Sequence, residues 1–160
     1  MSEVYSGNLR GIWISAAART PLISVEAVRA VPGRGLEGDR YFLGCGSFSR
    51  WPGTGRAVSL IAEETLQAIR AEHGIDLSEG RSRRNLITSG IELADLQDRF
   101  FRIGTAVFRG VRPCSPCQYL ERITQVGVFD ALKNRGGFRA DVIEEGVLRV
   151  GDAIEIIAIL

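Results

Sequence analysis

The sequence predicts a mainly β, barrel-like domain with a few α-helices packed outside it. Two observations favour this class: segments with the alternation of β-strands outnumber segments with helical spacing, and the connections between them are short. A third observation concerns size. At 160 residues, the chain is long enough to bury most of its apolar side chains in one core. We therefore predict a single domain over residues 1–160.

The first third of the chain is predicted to contain strands followed by a long loop. Residues 4–14 and 22–28 alternate apolar and polar side chains, as strands do; in the second segment Ile23, Val25 and Ala27 form the apolar set. Residues 31–55 are rich in glycine but include aromatic side chains, which indicates an ordered loop. A long loop inside a compact domain is usually functional.

A short apolar strand at residues 57–61 leads into the clearest predicted helix. In the segment AEETLQAIRAEHG, Ala62, Leu66 and Ile69 share one face, and acidic residues fill the first turn. Gly74 is expected to end this helix in a left-handed conformation.

The second half is predicted to be mostly strands. We expect a strand at NLIT (85–88), a helical turn at IELADL (91–96), a hairpin at 100–111, helices from Pro116 and at 128–132, and strands at FRADVIE (138–144) and AIEIIAIL (153–160) on either side of a turn segment, GVLRVGD.

Charge and composition narrow the classes of partner. A formal net charge of +1 gives no overall attraction to nucleic acid or to anionic membranes, so an anion site must come from local clusters of arginine. The N-terminal segment lacks the order of a signal peptide, and no apolar run approaches the roughly 20 residues that span a bilayer. We expect a cytoplasmic protein that binds neither nucleic acid nor membrane.

The segment VRPCSPCQYL (111–120) places Cys114 and Cys117 three residues apart, each directly after a proline. A structural zinc site would also need Cys45 and His73, but the usual second pair of closely spaced ligands is missing, and His73 is better explained as a solvated residue at a helix end. A redox-active pair would fit an α/β pattern better than this β-rich chain.

The third interpretation is a reactive thiol or metal ligand. Pro116 in the first turn of a helix puts Cys117 where backbone N–H groups stabilise a thiolate, and Arg112 adds a positive charge. Cys114, outside the helix, is then the assisting or resolving partner. The alternative is that both cysteines fill a rigid structural turn.

Three segments with charged residues are candidate ligand contacts. RSRRNL sets Arg81, Arg83 and Arg84 before a strand that begins at Asn85, a combination that suits a phosphate group; solvated surface arginines are the alternative. In GRGLEGDRYF, Asp39 and Arg40 form either a ligand-orienting pair or part of a compact structural loop. The segment NRGGFRAD has the same two interpretations: Arg135 and Arg139, on either side of its Gly-Gly turn, either contact a ligand or belong to a structural loop.

Taken in order, five segments resemble one family: GRGLEGDRYF, VSLIAEETL, RRNLIT, RFFRIGTAVFRGVRPCSPCQYLE and RGGFRADVIEEGVLRVGD. They resemble the MOSC domain, named for the C-terminal domain of molybdenum cofactor sulfurase, in its short stand-alone form, from about residue 11 to residue 152. The resemblance implies a MOSC-type β-barrel-like fold and a role with the molybdenum cofactor (molybdopterin) or in sulfur handling.

The resemblance also implies roles for individual residues. In related proteins a cysteine in the equivalent turn binds molybdenum or is proposed to carry a persulfide, which carries over to Cys117, with Cys114 assisting. Arg83 and Asn85 match the arginine and asparagine that help to hold the pterin phosphate. The residues expected to complete the cofactor site are Ser115, in the same turn as the cysteines, and Asp39 with Arg40, on the opposite wall.

The predicted function is a molybdenum-cofactor-associated sulfur carrier or cofactor-binding protein that uses a reactive cysteine. Its expected partners are a pyridoxal phosphate-dependent cysteine desulfurase or a molybdoenzyme. Two alternatives stay open: a molybdenum-dependent reductase of N-hydroxylated compounds that works with a redox partner, and a non-catalytic module that binds the cofactor.

Overall fold

A computed structural model of the protein describes residues 6–44, 55–115 and 118–158. Within these ranges the strands are β1 (Ser6–Ile14), β2 (Ile23–Ser24), β3 (Ala27–Val31), β4 (Gly35–Leu36), β5 (Val58–Ala62), β6 (Leu86–Ser89), β7 (Phe100–Ile103), β8 (Ala106–Pro113), β9 (Phe138–Glu144), β10 (Gly146–Arg149) and β11 (Ala153–Ile157). The helices are α1 (Glu63–His73), α2 (Gln118–Ile123) and α3 (Val128–Ala131), with a 3-10 turn at Leu93–Leu96.

Seven of the strands close into a barrel. Their order is β1, β11, β7, β8, β9, β5 and β6, and β6 pairs with β1 again. All neighbours are antiparallel except β5 and β6, which are parallel and are connected by the segment that contains α1. The predicted mainly β, barrel-like fold with a few short outer helices is confirmed.

A small second sheet contains β10, β3 and β4 in that order, while β2 pairs only with the end of β1. Two predictions of the sequence pattern are wrong here. Residues 22–28 are not one strand. They include β2, which pairs with β1, and the start of β3, which pairs with β10. Ile23 in β2 is 61% exposed, whereas Val28 in β3 is buried. GVLR, expected in a turn segment, forms β10. Part of the predicted long loop forms β4.

The barrel interior is filled by the inward-facing side chains of its strands. Phe101 of β7 and Phe108 of β8 are fully buried and stack with ring centroids 5.4 Å apart. Burying each ring contributes roughly 1.5–3 kcal/mol. The predicted hairpin around Gly104 therefore supplies two large aromatic side chains of the core.

The helices pack on the outside of the barrel through a second apolar cluster. Ile69 of α1 lies against Ile61 of β5, and the same cluster includes Leu120 of α2 and Val128 of α3. The predicted end of α1 is confirmed, because Gly74 has a φ of 67° and its N–H donates to the carbonyl oxygen of Arg70. In the described residues no helix is long and apolar enough to cross a membrane.

Candidate functional site

One end of the barrel holds a cavity of about 480 Å³. It lies where β1 and β8 end and where β5 and β6 begin, so that residues from distant parts of the sequence meet at one rim. Seven arginines line it: Arg19, Arg40, Arg56, Arg83, Arg84, Arg112 and Arg139. Asp39 is the one acidic residue among its described lining residues. Because the formal charge of the whole chain is only +1, this cavity is a local concentration of positive charge.

Asp39 is held rigidly at the cavity wall. Its side chain is 2% exposed, and its Oδ1 accepts hydrogen bonds from the backbone N–H of Ser15, at 3.0 Å, and from the Arg40 guanidinium, at 3.2 Å. The Ser15 hydroxyl lies within hydrogen-bond distance of the carbonyl oxygens of Ala17 and Thr20. The loop after β1 is thus fixed to the loop that carries Asp39 and Arg40.

Arg83 reaches the same loop from the other side. Its Nη1 donates to the carbonyl oxygen of Thr20 at 2.6 Å. Burial, and then the positive charge of Arg40, lower the pKa of the Arg83 guanidinium, while Tyr119 and Asp39 act in the opposite direction. These side chains therefore form one electrostatically connected wall.

Two cavity arginines have left-handed backbone conformations. The φ of Arg83 is 59° and that of Arg19 is 63°, in a region that costs a non-glycine residue about 1–2 kcal/mol. Strain of this kind persists only where the surrounding structure fixes it, and it is found often at functional sites. Both arginines turn toward the same cavity.

Asn85 lines the cavity, but its side-chain amide is hydrogen-bonded to other residues of the protein. Its Oδ1 lies 3.2 Å from both the backbone nitrogen and the hydroxyl of Ser59, and its Nδ2 donates to the carbonyl oxygen of Trp13 at 3.0 Å. The Asn85 backbone N–H donates to the Ser59 hydroxyl. Asn85 thus joins the start of β6 to β5 and β1, and it positions the adjacent Arg83 and Arg84.

The wall near the cysteine turn contains Ser115, Tyr119 and Leu120. The Tyr119 ring receives the Arg19 guanidinium at 4.9 Å from its centroid, which joins α2 to the loop after β1. Cys117 lies outside the described residues, as do Pro116 and Cys45, so the predictions made for them are not examined by the structure. Cys117 is nevertheless two residues from Ser115 and two from Tyr119 in sequence.

Cys114 is buried, with 3% of its surface exposed, and its backbone N–H donates to the carbonyl oxygen of Gly137 at 2.9 Å. His73 is the last residue of α1 and its side chain is 46% exposed, as the sequence predicts for a solvated helix end. In the part of the chain that the structure describes, no group of three or more His, Cys, Asp or Glu side chains could hold a metal ion.

The structure thus brings Asp39, Arg40, Arg83, Asn85 and Ser115 together around one cavity. Other flagged arginines do not reach it. The guanidinium of Arg81 binds Asp76 at 2.9 Å, and that of Arg135 binds Glu72 at 2.8 Å.

Sequence reasoning missed Arg19, Arg56 and Tyr119 as cavity residues. Arg112 was noted only for its charge beside Cys117, and Arg139 as one of two arginines at a Gly-Gly turn that could contact a ligand. No local pattern places these five residues in one cavity, because the barrel topology brings them together.

Solved structures of similar fold come from several bacteria. The YUAD protein from Bacillus subtilis matches with a TM-score of 0.77 and 18% identity, covering 98% of this chain and 98% of that one. YiiM from Escherichia coli matches with a TM-score of 0.67 and 20% identity, covering 96% of this chain and 71% of that one. YiiM from Geobacillus stearothermophilus matches with a TM-score of 0.64 and 16% identity, covering 95% and 73%. At these identities the likeness concerns the fold.

No curated protein matches the chain. The sequence itself carries a family signature: the model of the MOSC domain matches residues 48–155, which is most of the chain and includes the strands on both sides of the cysteine turn. The barrel and this match agree with one another, and the chain belongs to the MOSC domain family.

Proposed function

We propose that this protein binds the phosphate-bearing pterin of the molybdenum cofactor in the arginine-lined cavity, and that Cys117 acts there as a sulfur carrier or metal ligand. The observation that carries the proposal is the charge of the cavity: among the residues that the structure describes, seven arginines and one aspartate surround a single space. Guanidinium groups match the oxygen geometry of a phosphate.

The described residues fit such a ligand in size and chemistry. A cavity of about 480 Å³ falls within the range of roughly 300–1,000 Å³ that is usual for small-molecule sites. Tyr119 supplies aromatic surface for a heterocycle, and the arginines supply the positive charge for its phosphate. When bound, the cofactor would contribute a redox-active molybdenum centre.

We assign separate tasks to the residues of the wall that contains Arg83. Arg83 and Arg40 contact the phosphate, since both line the cavity and their charges act on each other. Asn85 positions Arg83 through its bonds to neighbouring strands. Asp39 orients Arg40, and Ser115 offers a hydroxyl close to the cysteine turn.

The sulfur-transfer step is an exchange of one sulfur atom. The Cys117 thiolate attacks the outer sulfur of a persulfide carried by a cysteine desulfurase, the S–S bond of the donor breaks, and the donor leaves as a thiolate. Cys117 then carries the outer sulfur and its proton as a persulfide. Electrons balance within this exchange, so no further oxidant or reductant is needed.

Mass spectrometry tests the carrier role. The purified chain is incubated with a pyridoxal phosphate-dependent cysteine desulfurase and cysteine, and we expect a gain of about 32 Da, the mass of one sulfur, at Cys117. Cys117→Ser should abolish the gain. Cys114→Ser is the matched control: it should keep the adduct and change only its lifetime, because a neighbouring thiol can attack a persulfide and release its outer sulfur. An undiminished gain in Cys117→Ser would contradict the carrier role.

Cofactor analysis tests the binding role. Protein purified from a host that makes the cofactor should contain pterin and molybdenum. Arg83→Ala should reduce both, whereas Cys117→Ser should reduce molybdenum and leave part of the pterin, which the arginines still hold. If the unmodified protein contained no pterin, cofactor binding would be refuted. The sulfur-carrier role would then be tested by the mass measurement alone.

A further inference from the structure

A second cavity, of about 320 Å³, lies on the side of the barrel that carries α1. It is bounded by residues of β1, by α1 and by the turns at residues 76–80, and we call it the outer groove. No described residue lines both this groove and the arginine-lined cavity. Its volume is at the lower end of the range of roughly 300–1,000 Å³ that is usual for small-molecule sites, so it suits a small ligand.

One wall of the outer groove is the partly buried indole of Trp13, which packs between two glycines. A Cβ atom at Gly11 would stand 3.2 Å from the indole Nε1, and one at Gly80 would stand 2.8 Å from Cε3. Leu66 and Ile87, which are also partly buried, line the same groove. Together these side chains offer an apolar and aromatic surface to a ligand.

The same wall contains a hydrogen-bond donor. The backbone N–H of Trp13 donates to the carbonyl oxygen of Asn85, and its own carbonyl oxygen accepts from the Asn85 side chain. The indole Nε1–H, in contrast, has no acceptor among the residues that the structure describes. A ligand oxygen in the groove would supply one.

Most carboxylates of the outer groove already have partners. Glu63 of α1 pairs with Arg10 of β1, with 3.3 Å between Oε2 and Nε. Asp76 pairs with Nη1 of Arg81 at 2.9 Å and accepts a hydrogen bond from the backbone N–H of Ser78 at 2.9 Å. These ion pairs balance their own charges and need no ligand.

Two charged side chains of opposite sign are left in the groove, Arg70 of α1 and Glu79. Both are exposed, and neither side chain forms a hydrogen bond or ion pair within the described part of the chain. Hydrogen bonds from Ser78 lower the pKa of Asp76, and the charges of Arg81 and Arg70 act in the same direction. The Arg70 guanidinium is therefore close to the turns that carry Glu79.

We infer that the outer groove binds a free α-amino acid with an apolar side chain. Arg70 contacts its carboxylate, Glu79 contacts its ammonium group, and its side chain lies against Trp13. A simple anion would be repelled by Glu79 and a simple cation by Arg70, whereas a zwitterion satisfies both. The inference does not depend on the function proposed for the arginine-lined cavity, because the two sites have separate walls.

Nuclear magnetic resonance of the 15N-labelled full chain tests the site with three probes: L-phenylalanine, 3-phenylpropionate, which lacks the ammonium group, and phenethylamine, which lacks the carboxylate. We expect L-phenylalanine to bind at least about threefold more tightly than either of the others, since each ionic contact is close to solvent. The indole N–H signal of Trp13 should shift on binding. The chain has two tryptophans, and Trp51→Phe assigns the signal.

Two substitutions separate the ionic contacts. Arg70→Ala should remove the advantage of L-phenylalanine over phenethylamine and keep its advantage over 3-phenylpropionate. Glu79→Gln should do the reverse. Arg102→Ala and Glu155→Gln are the matched controls, because Arg102 of β7 and Glu155 of β11 are exposed and lie outside the lining of both cavities. Both control variants should keep both advantages.

Equal affinities for the three probes, or an unshifted Trp13 indole signal, would overturn the inference. The same losses in the control variants would mean a general effect of net charge and would overturn it as well. The dispersion of the amide signals establishes folding for each variant, and Arg70→Gln serves if the alanine variant is unstable. None of these outcomes alters the tests of the arginine-lined cavity, which use other residues and other ligands.

Discussion

Arg83 combines a strained backbone with a cavity-facing side chain, so substitutions to alanine and glycine separate its two contributions. The φ of Arg83 is 59°, and its Nη1 donates to the carbonyl oxygen of Thr20. Arg83→Ala removes the guanidinium but keeps a side chain in the left-handed region. Arg83→Gly removes the guanidinium and the strain together.

The magnitudes follow from these contacts. A hydrogen bond to a charged group contributes about 1.5–3 kcal/mol, so both variants should bind orthophosphate roughly 10- to 150-fold more weakly. Relief of the left-handed strain contributes about 1 kcal/mol. Arg83→Gly should therefore melt about 2–4 °C above Arg83→Ala in a domain of this size.

Calorimetric titration gives the affinity, and thermal unfolding followed by circular dichroism gives the melting temperatures. Arg102→Ala should match the unmodified protein in both measurements. Equal melting temperatures for Arg83→Ala and Arg83→Gly would refute the assignment of strain. Unchanged orthophosphate affinity in both variants would remove Arg83 from the binding site.

Three further substitutions test the frame of the fold, two of them close to the site. Asn85→Ala should lower the free energy of unfolding by about 2–3 kcal/mol in urea titration, because it leaves buried partners on two strands unsatisfied; a loss below about 0.5 kcal/mol would contradict this. Gly137→Ala should cost about 3 kcal/mol or more in the same assay, because its φ is 107° and a Cβ would overlap the carbonyl oxygen of Leu60; near-normal stability would exclude that close approach. Hydrogen bonds from Ser78 lower the pKa of Asp76 below 3.8, so its stabilisation is present above about pH 4 and is lost as the pH falls through the lower native pKa. The urea midpoint should fall more between about pH 5 and pH 2 in the unmodified protein than in Asp76→Asn, and parallel curves would contradict the assignment.

The elements that the sequence predicted correctly are those defined by local physics. Helix α1 has acidic residues in its first turn and Gly74 after its last, and both act within one turn of the helix ends. The β7–β8 hairpin alternates around Gly104, whose φ of 62° matches the turn. Signals of this kind depend only on neighbouring residues, so they can be read without knowledge of the fold.

The wrong predictions concern segments in which the chain passes from the barrel to the small second sheet. The alternation across residues 22–28 continues through the point at which the chain passes from β1 to the small sheet, so the pattern carries no mark of the transition. The segment GVLR has the glycines of a turn on both sides, yet it pairs with β3, which lies more than 100 residues earlier. Pairing at that distance is decided by tertiary structure rather than by local preference.

The positive charge of the cavity could not be predicted from local sequence patterns either. Arg19 and Arg56 stand in segments without any local pattern, and the near balance of 20 basic and 19 acidic residues conceals the cluster in the composition. Folding nevertheless gathers seven guanidinium groups at one rim, where Asp39 is the one described acidic neighbour. A bound anion would be attracted to this local concentration of positive charge. An anion that binds the native state therefore does two things: it fills the cavity, and it stabilises the strand ends that form it.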